Sequence, residues 1–255
     1  MLERVRIVLV RPRRGGNVGA AARVMKNVGL GELVLVAPRT RVGAVGERMA
    51  AHARDVLAAR RSAPDLAAAV ADCVLVVGTA GREFAHLAPA DPRDAAAEIV
   101  AATARGRVAL VFGPEDHGLS NADLGICQRL VRIPTADAYP SLNLAQAIAV
   151  CGYELLRATL ASGAPGAAKK PARRQRSSAA SSGNDERAPA SNAEREALLA
   201  HLEQALAGIG FLSRQNPAHI LADVRALFSR AGLTRRDVQI WRGVARQMLW
   251  AARRG

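Results

Sequence analysis

Three short segments of this chain carry residues suited to chemistry, and each stands where an apolar run gives way to a helix-like one. Asn17-Val18-Gly19-Ala20-Ala21-Ala22-Arg23 lies near the start. Phe112-Gly113-Pro114-Glu115-Asp116-His117-Gly118-Leu119-Ser120 lies in the middle, and Pro140-Ser141-Leu142-Asn143-Leu144-Ala145-Gln146 follows later. Gly78-Thr79, Gly113-Pro114-Glu115, Gly118-Leu119 and Ile133-Pro134 all fall at the ends of strand-like runs, where open α/β sheets bind ligands. Small residues there let backbone N–H and C=O groups approach an adenine edge, and Leu119, Ile133, Leu142 and Leu144 are placed to supply apolar walls. The competing use of these leucines is core packing beneath the loops. A dinucleotide-type pocket fails on two counts. Gly15-Gly16-Asn17-Val18-Gly19 does not match the GxGxxG spacing, and the second strand-like run ends in Ala37-Pro38 with no carboxylate to hold a ribose.

The elements that must position these loops are legible from hydrophobic pattern. Residues 5–10, 33–36, 73–77, 107–112 and 130–134 read as five strands, with Gly15-Gly16-Asn17 as a turn before a helix that runs to about Val28. Further helices are expected at about 47–60, at 64–71 with Ser62 as cap, and at 91–104 with Asp91 capping and Pro92 at the first helical position. A short helix at 121–125 and a long one from Ser141 to about Leu160 complete the pattern. Continuous apolar strands alternating with helices imply a parallel sheet covered on both faces. Residues 1–161 therefore read as one α/β domain. Residues 162–192 lose apolar periodicity and read as a disordered basic linker. Residues 193–255 read as a small all-helical domain whose last helix is capped by Thr234. There Val238, Trp241, Val244, Ala245, Met248 and Leu249 recur at core spacing.

The chain of 255 residues carries 36 Lys and Arg against 22 Asp and Glu, a formal charge of +14. The excess is spread evenly: 20 basic and 15 acidic residues in 1–161, 6 and 2 in 162–192, and 10 and 5 in 193–255. A large polyanion such as folded RNA suits that distribution, generic surface solvation being the alternative. Aromatic content of 3% argues against a base-stacking platform. Cys73, Cys127 and Cys151 are odd in number and far apart with no metal-ligand spacing, which argues against a disulfide framework or a zinc site and for buried thiols. The apolar run at 5–10 is too short for a signal peptide, and no stretch reaches membrane-span length, so a cytoplasmic protein with no membrane partner is expected.

The order and separation of the three segments resemble the motifs of the SPOUT RNA 2′-O-ribose methyltransferases of the TrmH group, most closely the TrmJ branch, over about residues 5–160. The resemblance implies a fold with a C-terminal trefoil knot, bent binding of S-adenosyl-L-methionine, a homodimer, and no metal. It implies that Asn17, Glu115 and Asn143 organise the motif loops around a catalytic Arg23, with Ser141 orienting the ribose or relaying its proton. It places cofactor contacts at Gly78, Thr79, Gly113, Pro114, Glu115, Gly118, Leu119, Ile133, Ser141, Leu142 and Leu144. A guanidinium, with a pKa above about 12, is almost never deprotonated, so Arg23 suits holding the neighbouring phosphate and stabilising developing alkoxide charge as well as the role of base. The implied reaction is methyl transfer to a ribose 2′-hydroxyl of tRNA, cytidine or uridine at position 32 of the anticodon loop. The C-terminal helices would be a tRNA-binding extension. Another tRNA position, ribosomal RNA, or a non-catalytic RNA-binding knotted protein remain as alternatives.

Arg11, Arg13 and Arg14 flank the first motif and suit RNA phosphate contacts, a solvated loop being the bland use. Lys169, Lys170, Arg173 and Arg174 form a basic run that would track an RNA backbone or keep the linker extended. His117 sits inside the second motif, where a cofactor-loop contact is open to it.

Overall fold

The computed structural model describes residues 1–81, 84, 87–163, 186–212 and 217–253. Its sheet comprises β1 (Val5–Val10), β2 (Glu32–Val36), β3 (Arg61–Ala63), β4 (Cys73–Thr79), β5 (Arg107–Phe112) and β6 (Arg129–Val131). All pairs are parallel, in the order β3-β2-β1-β5-β4-β6. Every residue of β1 is buried, because Ile7 and Leu9 face one layer of helices while Val8 and Val10 face the other. The first layer holds α1 (Gly15–Asn27), α2 (Gly43–Ala50), α3 (Arg54–Ala58), α5 (Pro92–Ala102) and α7 (Leu144–Ala161). Among the described residues of this part of the chain, the helices of the second layer are α4 (Leu66–Ala69) and α6 (Asn121–Ile126). At the N-terminal edge of the sheet the buried Arg6 binds Glu32 and Asp72. Hydrogen bonds from Arg6 and Arg107 overcome the effect of burial and hold the Asp72 carboxyl down at about 2.

Five differences from the sequence reading have local causes. Gly15 and Gly16 belong to the first turn of α1 instead of a preceding turn. α1 crosses α2 so closely that a Cβ on Gly15 would lie 2.4 Å from the Val42 carbonyl oxygen, and one on Gly19 2.0 Å from that of Gly46. The helical stretch predicted at 47–60 breaks at Ala51, which adopts φ +49°. The edge strand β3 was not expected: Arg-Ser-Ala shows no apolar run, and pairing with β2 alone makes it a strand. Ser62 is therefore in a strand, and Asp65 caps α4 through a bond from the Ala68 N–H. α7 starts at Leu144 and not at Ser141, because the Asn143 side chain accepts the Ala145 N–H and Gln146 answers it in a capping box.

The C-terminal helices α8 (Asn192–Gly208), α9 (Pro217–Ala231) and α10 (Arg235–Ala252) enclose Leu198, Leu202, Phe228, Val238 and Ala245. The expected Trp241 lies at the margin of this core, edge-on to Phe228 at 5.3 Å. Residues 186–190, which the sequence reading places in the linker, run beside 233–236, with the Ala190 N–H on the Leu233 carbonyl and the Arg235 N–H on that of Ala188. α8 fills the sparse second layer. The buried Arg195 donates to the Val74 carbonyl and to Gln128 Oε1, both at 3.0 Å, and Gln128 Oε1 also accepts the Val76 N–H. The central linker, with Lys169, Lys170, Arg173 and Arg174, lies outside the described residues.

Candidate active site

β4, β5 and β6 end side by side, and the loops that leave them enclose a cavity of about 500 Å³. Thr79, Gly113, Pro114, Glu115, Gly118, Leu119, Ile133, Ser141, Leu142 and Leu144 all line it. Gly78 does not. It lies behind the wall, where a Cβ would come within 2.7 Å of Cys127 Sγ and 3.2 Å of Leu119 Cδ1. The loop after β5 turns back on itself: the Gly118 N–H bonds to the Pro114 carbonyl, and Gly118 takes φ +68°. A Cβ on Gly113 would sit 2.2 Å from the Gly118 carbonyl carbon, so that turn needs a glycine. Thr79 points its hydroxyl at the Val111 carbonyl and ties the ends of β4 and β5 together.

A chain of hydrogen bonds joins the three motifs and ends on Glu115, which lines the cavity. Asn143 Nδ2 donates to Asn17 Oδ1 at 3.1 Å, and Asn17 Nδ2 donates to Glu115 Oε1 at 2.8 Å. Glu115 Oε2 accepts the backbone N–H of Arg13 at 3.1 Å. Partial burial alone would raise the Glu115 pKa, but the Asn17 amide and the N–H groups of Arg13 and Arg14 outweigh it and hold the carboxyl below its ordinary range. It is an anion at neutral pH. Asn143 thus serves twice, capping α7 and anchoring Asn17.

The arginines are distributed differently from expectation. Arg23 is exposed on α1 and does not line the cavity. Six residues on a helix amount to roughly 9 Å of rise and about 120° between faces, so Asn17 and Arg23 do not share one. Arg11 turns away from the open surface and forms a two-pronged pair with Asp123, one prong at 3.3 Å. Burial would raise the Asp123 carboxyl, yet Arg11 and Ser120 hold it low. The sequence carried a signal for Asp123 as the fourth residue of a Ser120-x-x-Asp123 capping box, but not for its partner. Arg13 pairs with Asp116 at 2.6 Å, and His117 Nδ1 lies 2.6 Å from the same carboxylate. Arg14 is exposed and has no side-chain partner among the described residues.

Burial pushes the thiols of Cys73, Cys127 and Cys151 up to about 12, which leaves them inert packing groups. Among the described residues no group of His, Cys, Asp and Glu is arranged to hold a metal ion, and no helix is long and apolar enough to cross a membrane.

The profile of the SpoU rRNA Methylase family matches residues 4–153, the stretch that builds the sheet and the cavity. The chain belongs to this SpoU methylase family. Within the family it falls with the TrmJ branch, since the profile of the tRNA methyltransferase TrmJ C-terminal domain matches residues 193–255. It is 39% identical, over 99% of its length and 96% of the relative's, to the tRNA (cytidine/uridine/adenosine-2′-O-)-methyltransferase TrmJ of Pseudomonas aeruginosa (strain UCBPP-PA14). To the tRNA (cytidine/uridine-2′-O-)-methyltransferase TrmJ of Sodalis glossinidius (strain morsitans) it is 36% identical over 96% of this chain and 91% of that one. The crystal structure of TrmJ from Z. mobilis ZM4 superposes with a TM-score of 0.75 at 31% identity, covering 95% of this chain and 98% of that one. The cavity at the ends of β4, β5 and β6 and the hydrogen-bonded side chains beside it all lie within the residues that the SpoU profile matches.

Proposed function

We propose that this chain transfers a methyl group from S-adenosyl-L-methionine to a ribose 2′-hydroxyl of tRNA, with cytidine or uridine at position 32 of the anticodon loop as the target. The observation that carries the reading is the Asn143–Asn17–Glu115 hydrogen-bond chain, which unites three distant segments at the rim of one cavity. Relatives over nearly the whole length bear the name of that activity.

The cavity suits the cofactor. Its volume is that of a small-molecule site, Gly113 and Gly118 would let loop backbone approach an adenine edge, and Leu119, Ile133 and Leu142 wall it. When bound, S-adenosylmethionine supplies a methyl group already activated on a sulfonium, so the protein need not activate it. The residues of the chain then have three tasks. Glu115, Asn17 and Asn143 fix the loops that shape the rim. Ser141, exposed on the cavity wall, orients the ribose hydroxyl or relays its proton. Arg23, exposed on α1 outside the cavity wall, would hold the phosphate beside the target ribose and stabilise the alkoxide charge as it develops. Two copies would build the full RNA surface as a homodimer, which is supported by the exposed Tyr153 and Leu160 on α7. The C-terminal helices would add tRNA contacts beyond the 1–161 domain.

Incorporation of labelled methyl groups into tRNA, followed by mapping of 2′-O-methyl positions, tests the reading. Methylation confined to ribosomal RNA, or none, would overturn it. Arg23→Ala should cut single-turnover transfer at least a hundredfold while cofactor affinity stays within a few fold. A near wild-type rate would remove Arg23 from the chemistry.

A further inference from the structure

Two neighbouring loops leave the C-terminal ends of β1 and β2, and each begins on a non-glycine residue in the left-handed region, Arg11 at φ +48° and Ala37 at φ +41°. Such backbone persists only where surrounding structure imposes it, and it gathers at working sites. Here the imposing contacts are visible. The Arg11 N–H bonds to the Val36 carbonyl, the Ala37 N–H to that of Ala63, and the Arg39 N–H to that of Pro12, so the loops are stitched to each other as well as to the sheet. Arg11 is pinned from the far side by the largely buried Asp123. The glycine-tight crossing of α1 and α2 then sets Gly15 directly against the carbonyls of Arg41 and Val42.

The outcome of this stitching is a cationic surface. Arg14, Arg39 and Arg41 are exposed and lack side-chain partners among the described residues, while Arg13 beside them is neutralised by Asp116. Of these, Arg39 and Arg41 come from a loop outside the three motifs, yet Arg39 is bonded to the first-motif loop whose Arg13 N–H holds Glu115. Guanidiniums on a fixed backbone leave only their side chains to be ordered on meeting a phosphate, and their forked donors match its oxygens. We infer that the β2–α2 loop, through Arg39 and Arg41, is a second phosphate-binding element that grips the RNA backbone beside the active site and sets its register on the enzyme. This rests on the tRNA methyltransferase reading above.

The test compares the full-length protein with Arg39→Gln/Arg41→Gln in tRNA binding across a salt series. Arg105→Gln, exposed just before β5 at the opposite, N-terminal ends of the strands, serves as a charge control. Two lost phosphate contacts lower the log–log salt slope by roughly 1.4 to 1.8, so the wild-type advantage in affinity should shrink about tenfold between about 50 and 200 mM salt. The KM for tRNA should rise, with cofactor affinity unchanged and Arg105→Gln close to wild type. If the wild type binds and methylates tRNA and the double variant keeps its slope, this inference is overturned alone. The same holds if Arg105→Gln flattens the slope as much as one of the pair, which would mark a diffuse charge effect. A wild type that neither binds nor methylates tRNA would instead remove the function reading. Altered melting of the double variant is controlled by Arg39→Lys/Arg41→Lys, which should restore most of the slope.

Discussion

Glu115→Gln isolates the link on which the candidate site depends. Each oxygen of the Glu115 carboxylate takes a separate donor, Asn17 Nδ2 at 2.8 Å and the Arg13 N–H at 3.1 Å. A glutamine amide has nearly the same shape but only one oxygen. Whichever way it lies, one of those donors meets an NH2 group. A hydrogen bond to a charged group is worth about 1.5–3 kcal/mol, and partial exposure lets water replace some of it, so a net cost of about 1–2 kcal/mol is expected. Because Asn17 also holds Asn143, that cost falls on the rim geometry, and 1–2 kcal/mol corresponds to roughly a 5- to 30-fold slower transfer step. Single-turnover methyl transfer at saturating tRNA and cofactor measures it. Asn17→Ala breaks the same link, so the double variant should be little worse than the slower single one. The sign with pH follows from the lowered carboxyl pKa: the contribution of Glu115 is full above the ordinary carboxylate range and is lost as pH falls through the lower folded value. The melting difference between wild type and variant should therefore stay flat from neutral to mildly acidic pH and close in stronger acid. A transfer rate within twofold of wild type, or additive losses in the double variant, would refute the linkage.

Gly113→Ala should weaken cofactor binding roughly 5- to 150-fold, the effect of about 1–3 kcal/mol of overpacking, because its Cβ would meet backbone of Gly118 and Leu119. Calorimetry with S-adenosylmethionine on the full chain checks this, and an affinity within twofold would show that the loop opens freely. Asp72→Asn should lower stability by about 1 kcal/mol at neutral pH, discounted because that carboxylate is half exposed. The deficit should persist down to the ordinary value of 3.8 and vanish as pH falls toward about 2, where wild-type Asp72 itself protonates. Melting curves across that range would expose a pH-independent deficit, which would mean that packing rather than charge is responsible.

Much of the fold was legible in the sequence because its signals are local. Short unbroken runs of β-branched and aliphatic residues between turn signals mark buried strands, and Asp91-Pro92 and the Thr234 cap mark their helix starts within a few residues. The cavity loops were legible for the same reason: small residues at strand ends mark where a parallel sheet opens, and Leu119, Ile133, Leu142 and Leu144, read as apolar walls, all line the cavity. What tertiary structure decided is who meets whom. Gly78 has the composition of a wall residue, but Cys127 stands on its open side and makes it a packing glycine. Arg11 looks like its neighbours Arg13 and Arg14, but a left-handed turn at the end of β1 delivers it to Asp123, 112 positions away. Asn17, Glu115 and Asn143 are 98 and 126 positions apart in their two bonds, and no periodicity encodes that approach. It follows from β5 lying beside β1 and from α7 packing on α1, choices made by burial of the whole sheet and not by any segment alone.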